Sequence, residues 1–452
     1  MDYTDGSLFA GVTKGVSLNP AQTKAEAVTG TIGSDTLAPS MTIYEGEHAI
    51  SVPVDIRASY DRTFPIYGFS GCSYVVFRLF NSTKFASFNL TARTKGRLCR
   101  TFNSSGFVVS TATAESLGTG DGSTVRFKLA GDDVASVSSL TVGATSYTEI
   151  SASNQSGNIY FLNRTKGYVE FVTAPGASAI AITYTYYARA WSQNPASHVV
   201  YLLTEKIRGK GFDESKIDWA AAAAYRDYCD ESVTWTNSQG TLTGVRYATN
   251  YAVDDRKPVQ DHIKAILDAA NGLLFLSDGK FVLRSRAVTA SVFSFDQTNI
   301  IVDEKGESTF EAELVERSGR PNRVKAAFQS EESLNAETEV IHDDEFDQEE
   351  REERLGNEGI VDENLKYPAV TSLGQMERLA TQLVAEQVGS NWVYRWKTNV
   401  QALALQPGDV VDVSNAAMPG KPALLLRVEE LAHDENDRLE IRATELVAGV
   451  PE

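Results

Sequence analysis

The chain has 452 residues, of which 60 are acidic and 42 are basic, so its formal net charge at pH 7 is −18. This length accommodates about two to four domains, each with a core of its own. The negative charge argues against binding nucleic acid by neutralising its phosphates, which requires clustered Lys and Arg. It suits a protein past which DNA moves without adhering, because like charges repel.

Neither a secretory signal nor a membrane span is indicated. The first residues, Met1–Gly6, contain no basic region followed by an apolar run. No stretch approaches the roughly 20 consecutive apolar residues of a membrane-spanning helix. We therefore expect the protein to be made and folded in a cytoplasm.

The residue types that most often bind metals are scattered along the sequence. The three cysteines form no CxxC pair, which favours buried apolar cysteines over a disulfide framework or a zinc site. The five histidines show no HExxH or similar spacing, so we expect them to be structural. These residues are Cys72, Cys99 and Cys229, and His48, His198, His262, His342 and His433.

Sequence motifs of catalysis are also lacking. The chain contains no nucleophile elbow, no glycine-rich dinucleotide loop and no Cys–His arrangement. We therefore expect no catalytic, cofactor-binding or metal-binding residue and no cofactor. A glycosidase carboxylate pair stays open, because such pairs are defined by their separation in space and 60 acidic residues offer many combinations.

The N-terminal part, to about residue 110, has the composition of β-structure. Val52–Ile56 and Ser73–Leu79 are rich in β-branched and aromatic residues, as strands are. In Ala86–Leu90 apolar and polar residues alternate, which predicts a half-buried strand.

Residues 113–188 are rich in Ser, Thr and Gly. The turn cluster Gly118–Thr124 precedes the alternating strand Val125–Leu129, and further strands are predicted at Tyr168–Val172 and Ile180–Tyr186. The glycines lack the Lys-Ser/Thr pair of a phosphate-binding loop, which favours a turn. We predict a small, self-contained β-sandwich or barrel here.

Helices are predicted after residue 190. Asp218 can cap a helix from Trp219 to Cys229, and Pro258 can begin another that stops at Asn271–Gly272. The Asp278–Gly279 pair predicts a hairpin between Leu273–Leu276 and Phe281–Arg284.

The C-terminal part returns to strands after one helix. Ser372 and Gln375 resemble a capping box for a helix that carries Met376, Leu379 and Val384. The acidic run 343–363 is predicted to be a solvated loop, with a metal site the less favoured alternative. Strands are predicted at Trp392–Val400, Val410–Val413, Leu424–Val428 and Leu439–Thr444.

Several short stretches, taken in order, resemble the tail-tip (tip attachment, or host-specificity) proteins of lambda-like siphophages. The order of these stretches over most of the chain carries the resemblance. They are Tyr67–Tyr74, Asn194–Ala196 leading to Tyr201–Thr204, Gly209–Gly211, Tyr228–Glu231, Arg246–Asn250, Pro258–Val259, Ser277–Phe281, Arg320–Val324 and Leu405–Val411.

The resemblance implies a mainly β, multidomain hub with α+β elements, in which two barrel-like domains per subunit line a ring. Residues 1–112, with a return near 188–195, would form the first barrel-like domain, and residues 296–452 the second, with one helix and the acidic loop. Residues 113–188 would be an inserted β domain on the outside, and residues 196–295 an α+β domain. Three subunits would then present pseudo-sixfold symmetry to a hexameric tail tube.

The resemblance also implies partners and a location. We expect a homotrimer in the virion, at the tail tip, assembled in the host cytoplasm. It would close the tail tube and form the passage for the tape measure protein and DNA, beside distal tail and other tail-tip proteins. Because the sequence stops at Glu452 without a central fibre, a separate fibre or receptor-binding protein is expected to meet the host cell envelope.

Two other functions stay open at this stage. One is a tail-borne enzyme that degrades cell-envelope glycans. The other is a binding module, with residues 113–188 contacting a glycan or receptor.

Overall fold

The computed structural model describes two groups of residues. The first is a set of short strands before residue 81, and the second is most of the chain from residue 98 to 446. The described residues are 7–11, 30–32, 35–37, 40–44, 74–80, 98–150, 157–206, 209–237, 240–251, 257–287, 289–303, 305–314, 321, 323–330, 336–343, 362–389, 392–414, 423–433 and 438–446.

The chain divides into two compact units. One unit comprises Met1–Cys99 with Arg189–Trp191, and the other comprises Arg100–Ala188 with Ser192–Glu452. In the first unit, an antiparallel sheet has the order β1-β5-β4 and a separate hairpin joins β2 to β3. These strands are β1 Ser7–Gly11, β2 Gly30–Ile32, β3 Asp35–Leu37, β4 Ser40–Tyr44 and β5 Tyr74–Phe80.

Among the described residues that follow, the chain forms 24 further strands and four α-helices. The strands before the helices are β6 Cys99–Arg100, β7 Phe102–Asn103, β8 Gly106–Phe107, β9 Val109–Thr119, β10 Arg126–Lys128, β11 Val134–Val142, β12 Thr145–Glu149, β13 Ile159–Asn163, β14 Tyr168–Phe171, β15 Ala179–Tyr187 and β16 Arg189–Ala190. The helices are α1 Pro195–Thr204, α2 Trp219–Asp230, α3 Val259–Asp268 and α4 Leu373–Gly389. The remaining strands are β17 Ser232–Asn237, β18 Gly240–Val245, β19 Gly272–Ser277, β20 Lys280–Ser285, β21 Phe293–Phe295, β22 Glu311–Leu314, β23 Arg323–Ser330, β24 Ala336–Asp343, β25 Asp362–Tyr367, β26 Trp392–Thr398, β27 Val410–Val413, β28 Leu424–His433 and β29 Leu439–Glu445.

Strands β9 to β15 form one seven-stranded sheet with the order β10-β14-β13-β12-β11-β15-β9. Along β15 the side chains of Ile180, Ile182 and Tyr184 are buried and alternate with less buried neighbours, the period of two expected of a strand with one covered face. They belong to a core that this sheet encloses by itself. The first strand begins at Val109, so it crosses the boundary placed at residue 112/113 by the sequence.

The second core lies among the four helices and the three-stranded sheet β24-β23-β25. Helix α4 packs on β23 and β24, and α1 packs against α2 and α3. Cys229 at the end of α2 is fully buried in this core, and burial raises the pKa of its thiol to about 12.

The C-terminal sheet has six strands in the order β21-β27-β28-β29-β26-β22 and curls into a nearly closed barrel. Its interior is packed with apolar side chains. The ring of Phe295, on the first strand of the sheet, lies edge-on to that of Trp396 on β26, with centroids 5.1 Å apart. The expectation of a mainly β fold with α+β elements and a barrel-like sheet is confirmed.

Local predictions for the helices and the hairpin agree closely with the structure. Asp218 caps α2 and accepts a hydrogen bond from the Ala221 N–H, and Pro258 immediately precedes α3. Asn271 adopts a positive φ after α3, as the predicted stop requires, and Asp278 and Gly279 both do so in the turn between β19 and β20. The predicted C-terminal strands correspond to β26, β27, β28 and β29, although β28 continues to His433.

Other predictions need correction or lie outside the described residues. Asp343 ends β24, and Asp362 and Glu363 begin β25, so the two ends of the predicted acidic loop belong to strands. The rest of that run, Val52–Ile56, Ala86–Leu90 and residues 67–73 lie outside the described residues. No helix among the described residues is long and apolar enough to cross a membrane.

Candidate assembly surface

The turn Leu405–Val411, which carried part of the resemblance, joins the barrel to hairpin β19–β20. Arg284 Nη1 of β20 lies 2.6 Å from Asp409 Oδ1, and the Asp409 side chain is largely buried. The second oxygen, Oδ2, accepts a hydrogen bond from the Gln406 backbone N–H at 2.7 Å. Asp409 therefore holds its own turn in shape and binds the neighbouring hairpin at the same time.

Two more ion pairs connect the barrel to the rest of its unit. Arg286, just beyond β20, lies 3.0 Å from Glu429 on β28. Arg427 on the same strand lies 3.0 Å from Glu386 of helix α4, and its side chain is almost completely buried. Moving α4 away from the barrel would leave the buried charge of Arg427 without its partner, which is costly, so this pair favours the observed packing of helix and barrel.

Residues Arg246–Asn250, another stretch of the resemblance, form a strap held by backbone hydrogen bonds. The Thr249 N–H donates to the Gln193 carbonyl at 2.7 Å, and the Asn250 N–H donates to the Ala369 carbonyl at 2.9 Å. The Ala248 N–H donates to the side chain of Gln375 at 3.0 Å. The strap thus ties the start of α1 to the start of α4.

Gln375 therefore has a different role from the predicted one. Its Nε2 donates to the Ala269 carbonyl at 2.8 Å, while its Oε1 accepts from Ala248. Of the two hydrogen bonds of a capping box, the one to the Ser372 side chain is present: the Gln375 N–H lies 3.5 Å from the serine Oγ. The Gln375 side chain instead bonds to Ala248 and Ala269. The buried glutamine joins α3 and the strap to α4 instead of capping its own helix.

His198 of α1 lies beside the strap and is partly buried. Its Nε2 lies 2.9 Å from the Ser192 carbonyl, and its Nδ1 lies 2.8 Å from Thr249 Oγ1. Desolvation by the surrounding protein lowers the pKa of His198 below its usual value. The neutral ring, donating from Nε2, is therefore the form that the folded protein favours.

Hairpin β17–β18 is attached to the same region through Trp235. The guanidinium carbon of Arg378 in α4 lies 5.1 Å from the centre of the Trp235 ring. A side chain at Gly374 would meet the indole ring at 2.2 Å, so Trp235 occupies the space that this helical glycine leaves. The opposite face of the hairpin is exposed, with Thr234 paired to Thr243 and Thr236 to Thr241 across the strands.

The barrel also exposes large apolar side chains near its first strand. A groove of about 340 Å³ is lined by residues at the start of β21 and after β26, including Val292, Phe293 and Leu405. Val292 is 55% exposed, and Val400 and Leu403, next to the lining residues in sequence, are 60% and 58% exposed. Clusters of this kind are typical of surfaces that other proteins cover.

Within the described part of the chain, no group of three or more His, Cys, Asp or Glu side chains could hold a metal ion. Among the described ionisable groups, the pKa values that are shifted most belong to tyrosines, to Cys229 and to residues that form ion pairs or turns. For example, hydrogen bonds from Arg323 and Lys325 lower the pKa of Asp362 on β25.

Residues 258–431 match the model of a protein family described as "Putative phage tail protein". The matched range begins at α3 and includes hairpin β19–β20 and most of the barrel. It also contains all three ion pairs described above. The match supports a structural role in a phage tail. No curated protein sequence matches the chain.

Three solved structures illustrate what the chain is similar to. A chain in the virion of a native gene transfer agent particle is 13% identical, with 80% of this chain and 90% of that chain covered and a TM-score of 0.36. A tail protein from Neisseria meningitidis MC58 is 11% identical, with 62% and 84% covered and a TM-score of 0.34. A prophage tail protein from Listeria monocytogenes EGD-e is 10% identical, with 76% and 89% covered and a TM-score of 0.27.

Proposed function

We propose that this chain is the hub of a bacteriophage tail tip, which closes the distal end of the tail tube and forms the passage for the tape measure protein and DNA. The observation that carries the proposal is the match of residues 258–431 to a phage tail protein family. Over that range the chain builds most of a barrel, a hairpin and a helix connected by three ion pairs. A ring that must stay closed under load requires such fixed contacts.

Such a hub has a mechanical function, and the free energy that holds it together comes from contacts between chains. Permanent protein interfaces are large and have apolar centres. The exposed apolar side chains Val292, Val400 and Leu403 supply surface of that kind. With 60 acidic against 42 basic residues, a neutral or acidic channel wall would let DNA phosphates pass.

In this proposal the assembled form is a homotrimer on the tail axis. Residues 1–112 and 296–452 supply the two ring domains of each subunit, and residues 113–188 lie outside the ring. The partners are distal tail and other tail-tip proteins, the tape measure protein, and a separate fibre or receptor-binding protein that meets the host cell envelope. The protein is found in the virion after assembly in the host cytoplasm.

Inactivation of the gene tests the tail role directly. A phage that carries a stop codon early in this gene should yield filled heads without attached tails, and the intact gene supplied in trans should restore tailed, infectious particles. Normally tailed particles that fail only at degrading peptidoglycan or capsule would favour the glycan-degrading alternative. Purified protein that releases fragments from those glycans would favour it as well.

A further inference from the structure

The seven-stranded sheet of β9–β15 is joined to the rest of its unit by a short neck. The chain enters the sheet after Val108 and leaves it at Ala188, and the Ala188 N–H donates to the Val108 carbonyl at 2.9 Å. The Thr101 N–H donates to the Ala188 carbonyl at 2.8 Å. Among the described residues, the core inside this sheet and the core among the helices have no member in common. Domains without a large apolar interface are expected to move relative to each other, so the contacts beside the neck determine how the sheet is held.

Arg100, just before the neck, binds the sheet through Asp133. Its Nε lies 2.7 Å from Asp133 Oδ2, and its Nη2 lies 2.8 Å from Asp133 Oδ1. Asp133 immediately precedes β11, and its backbone carbonyl accepts a hydrogen bond from the Tyr187 N–H at 3.0 Å. An arginine that donates two parallel hydrogen bonds to one carboxylate requires one relative geometry of the two groups. The contact between Arg100 and the sheet is therefore directional.

The same guanidinium group also contacts the segment before α2. Its Nη1 lies 3.5 Å from Glu214 Oε1, and the Tyr187 hydroxyl donates to that oxygen at 3.0 Å. The guanidinium carbon lies 3.8 Å from the centre of the Tyr187 ring. Arg100 is therefore a cation between two carboxylates, that of Asp133 in the sheet and that of Glu214 outside it. Removing the arginine would leave two negative charges without this partner, and the Asp133 side chain is only 16% exposed.

A second contact beside the neck is aromatic. The Phe107 ring lies edge-on to the Tyr187 ring at the end of β15, with centroids 5.8 Å apart. It also lies edge-on to the Trp219 ring at the start of α2, with centroids 4.8 Å apart. Burial of apolar surface is non-directional, so these rings can stay in contact while the sheet turns. The paired hydrogen bonds of Arg100 cannot, so the rings suit a pivot and the arginine suits a lock.

We propose that Arg100 is the lock of a hinge: it holds the seven-stranded sheet in one orientation, and the sheet turns about its neck when Arg100 withdraws from Asp133 and Glu214. The hinge consists of residues 101–108 and 188. Hinges are commonly a few residues in loops or at the ends of elements that absorb the change in backbone angles. A partner that pulls on the sheet must break these hydrogen bonds before the sheet can turn. The lock goes beyond the proposed hub function and does not depend on it.

Double electron–electron resonance on the full chain tests the lock. One spin label replaces Thr145, which is exposed and lies far from the neck, because its partner Val142 pairs with Ile180 in β15. The other replaces Lys264, whose side chain on α3 is 77% exposed. Both labels are carried by unnatural amino acids, because the chain has three cysteines of its own. The wild-type protein should give one narrow distance distribution. Arg100→Ala should make it about twofold wider or more, because the sheet then lacks its directional contact.

Arg100→Lys provides the same test if the alanine variant does not fold, which circular dichroism shows. Lysine keeps the positive charge but loses the planar set of donors, so it should widen the distribution as well. The matched control is Arg126→Ala, which removes an exposed pair with Glu170 inside the sheet and should leave the distribution narrow. Arg100 variants with the wild-type width would overturn the proposal, and so would a wild-type distribution that is already broad. Equal widening in the Arg126→Ala protein would also overturn it, because the loss of any arginine would then loosen the sheet.

Discussion

Arg284 Nη1 lies 2.6 Å from Asp409 Oδ1, and this contact joins hairpin β19–β20 to the turn that begins β27. The Asp409 side chain is 9% exposed and that of Arg284 is 27% exposed, so both charges are largely removed from water. Removing one member of such a pair leaves the other without compensation. The contact therefore matters more to the proposed hub than an exposed ion pair would.

We expect Asp409→Asn to destabilise the protein by about 1–3 kcal/mol. The asparagine can still accept the Gln406 N–H, so the substitution removes mainly the charge that faces Arg284. Urea unfolding measures the change. The matched control is Asp268→Asn, which breaks an exposed pair with Lys264 one helical turn away and should cost less than about 0.5 kcal/mol. Equal effects at the two positions would contradict the role given to Asp409.

The contact between Trp235 and Gly374 predicts a change of sign in a double-mutant cycle. Gly374→Ala should destabilise the wild type by about 1–3 kcal/mol, because the new Cβ would lie 2.2 Å from the indole ring. In a Trp235→Ala background the same substitution should stabilise by up to about 1 kcal/mol, because alanine favours helix over glycine. Thermal unfolding of the four proteins gives both values. If Gly374→Ala still destabilised the Trp235→Ala protein, the indole ring would not be the reason why a glycine is needed at position 374.

The lowered pKa of His198 predicts a dependence of stability on pH. In the unfolded chain the histidine binds a proton as the pH falls below about 6.5. In the folded protein burial lowers its pKa, so the folded state binds that proton only at lower pH. The contribution of His198 to the free energy of unfolding is therefore fully present above its pKa in the unfolded chain. This contribution decreases as the pH falls from that pKa towards the lower pKa that His198 has in the folded protein.

A His198→Gln variant should lose this part of the pH dependence. Unfolding free energies measured at pH 7.5 and pH 5.5 should differ more in the wild type than in the variant. His433→Gln, at an exposed position, is the control and should keep the wild-type difference. A variant at His198 with unchanged pH dependence would mean that another group is responsible.

The seven-stranded sheet is predicted to be a segment that can be isolated from the chain or deleted from it. Its ends lie close together, since the Ala188 N–H donates to the Val108 carbonyl at 2.9 Å, and it encloses a core of its own. A fragment spanning Val109–Tyr187 should unfold cooperatively by itself. A chain that joins Val108 to Ala188 through a short Gly-Ser linker should remain soluble. A fragment with no unfolding transition, or an insoluble shortened chain, would contradict an independent domain.

Local features of the fold could be predicted from the sequence, because they depend on neighbouring residues. Asp218 caps the helix that follows it, and Asp278 and Gly279 form the turn of their hairpin. Gln375 could not be predicted, because its partners Ala248 and Ala269 are 127 and 106 positions away. The same holds for the ion pair between Arg284 and Asp409 and for the packing of the Trp235 ring on Gly374. Each contact forms only when segments that are distant in the sequence have packed together.

A cryo-EM reconstruction of the tail end of the particle that carries this chain tests the central claim most directly. The account predicts three copies on the tail axis, each contributing the barrel of β21, β22 and β26–β29 to a ring that continues the tail tube. The wall of the channel should be neutral or acidic, because a basic wall would retain passing phosphates. Six copies, a position off the axis, or a continuous stripe of Lys and Arg along the channel would contradict it.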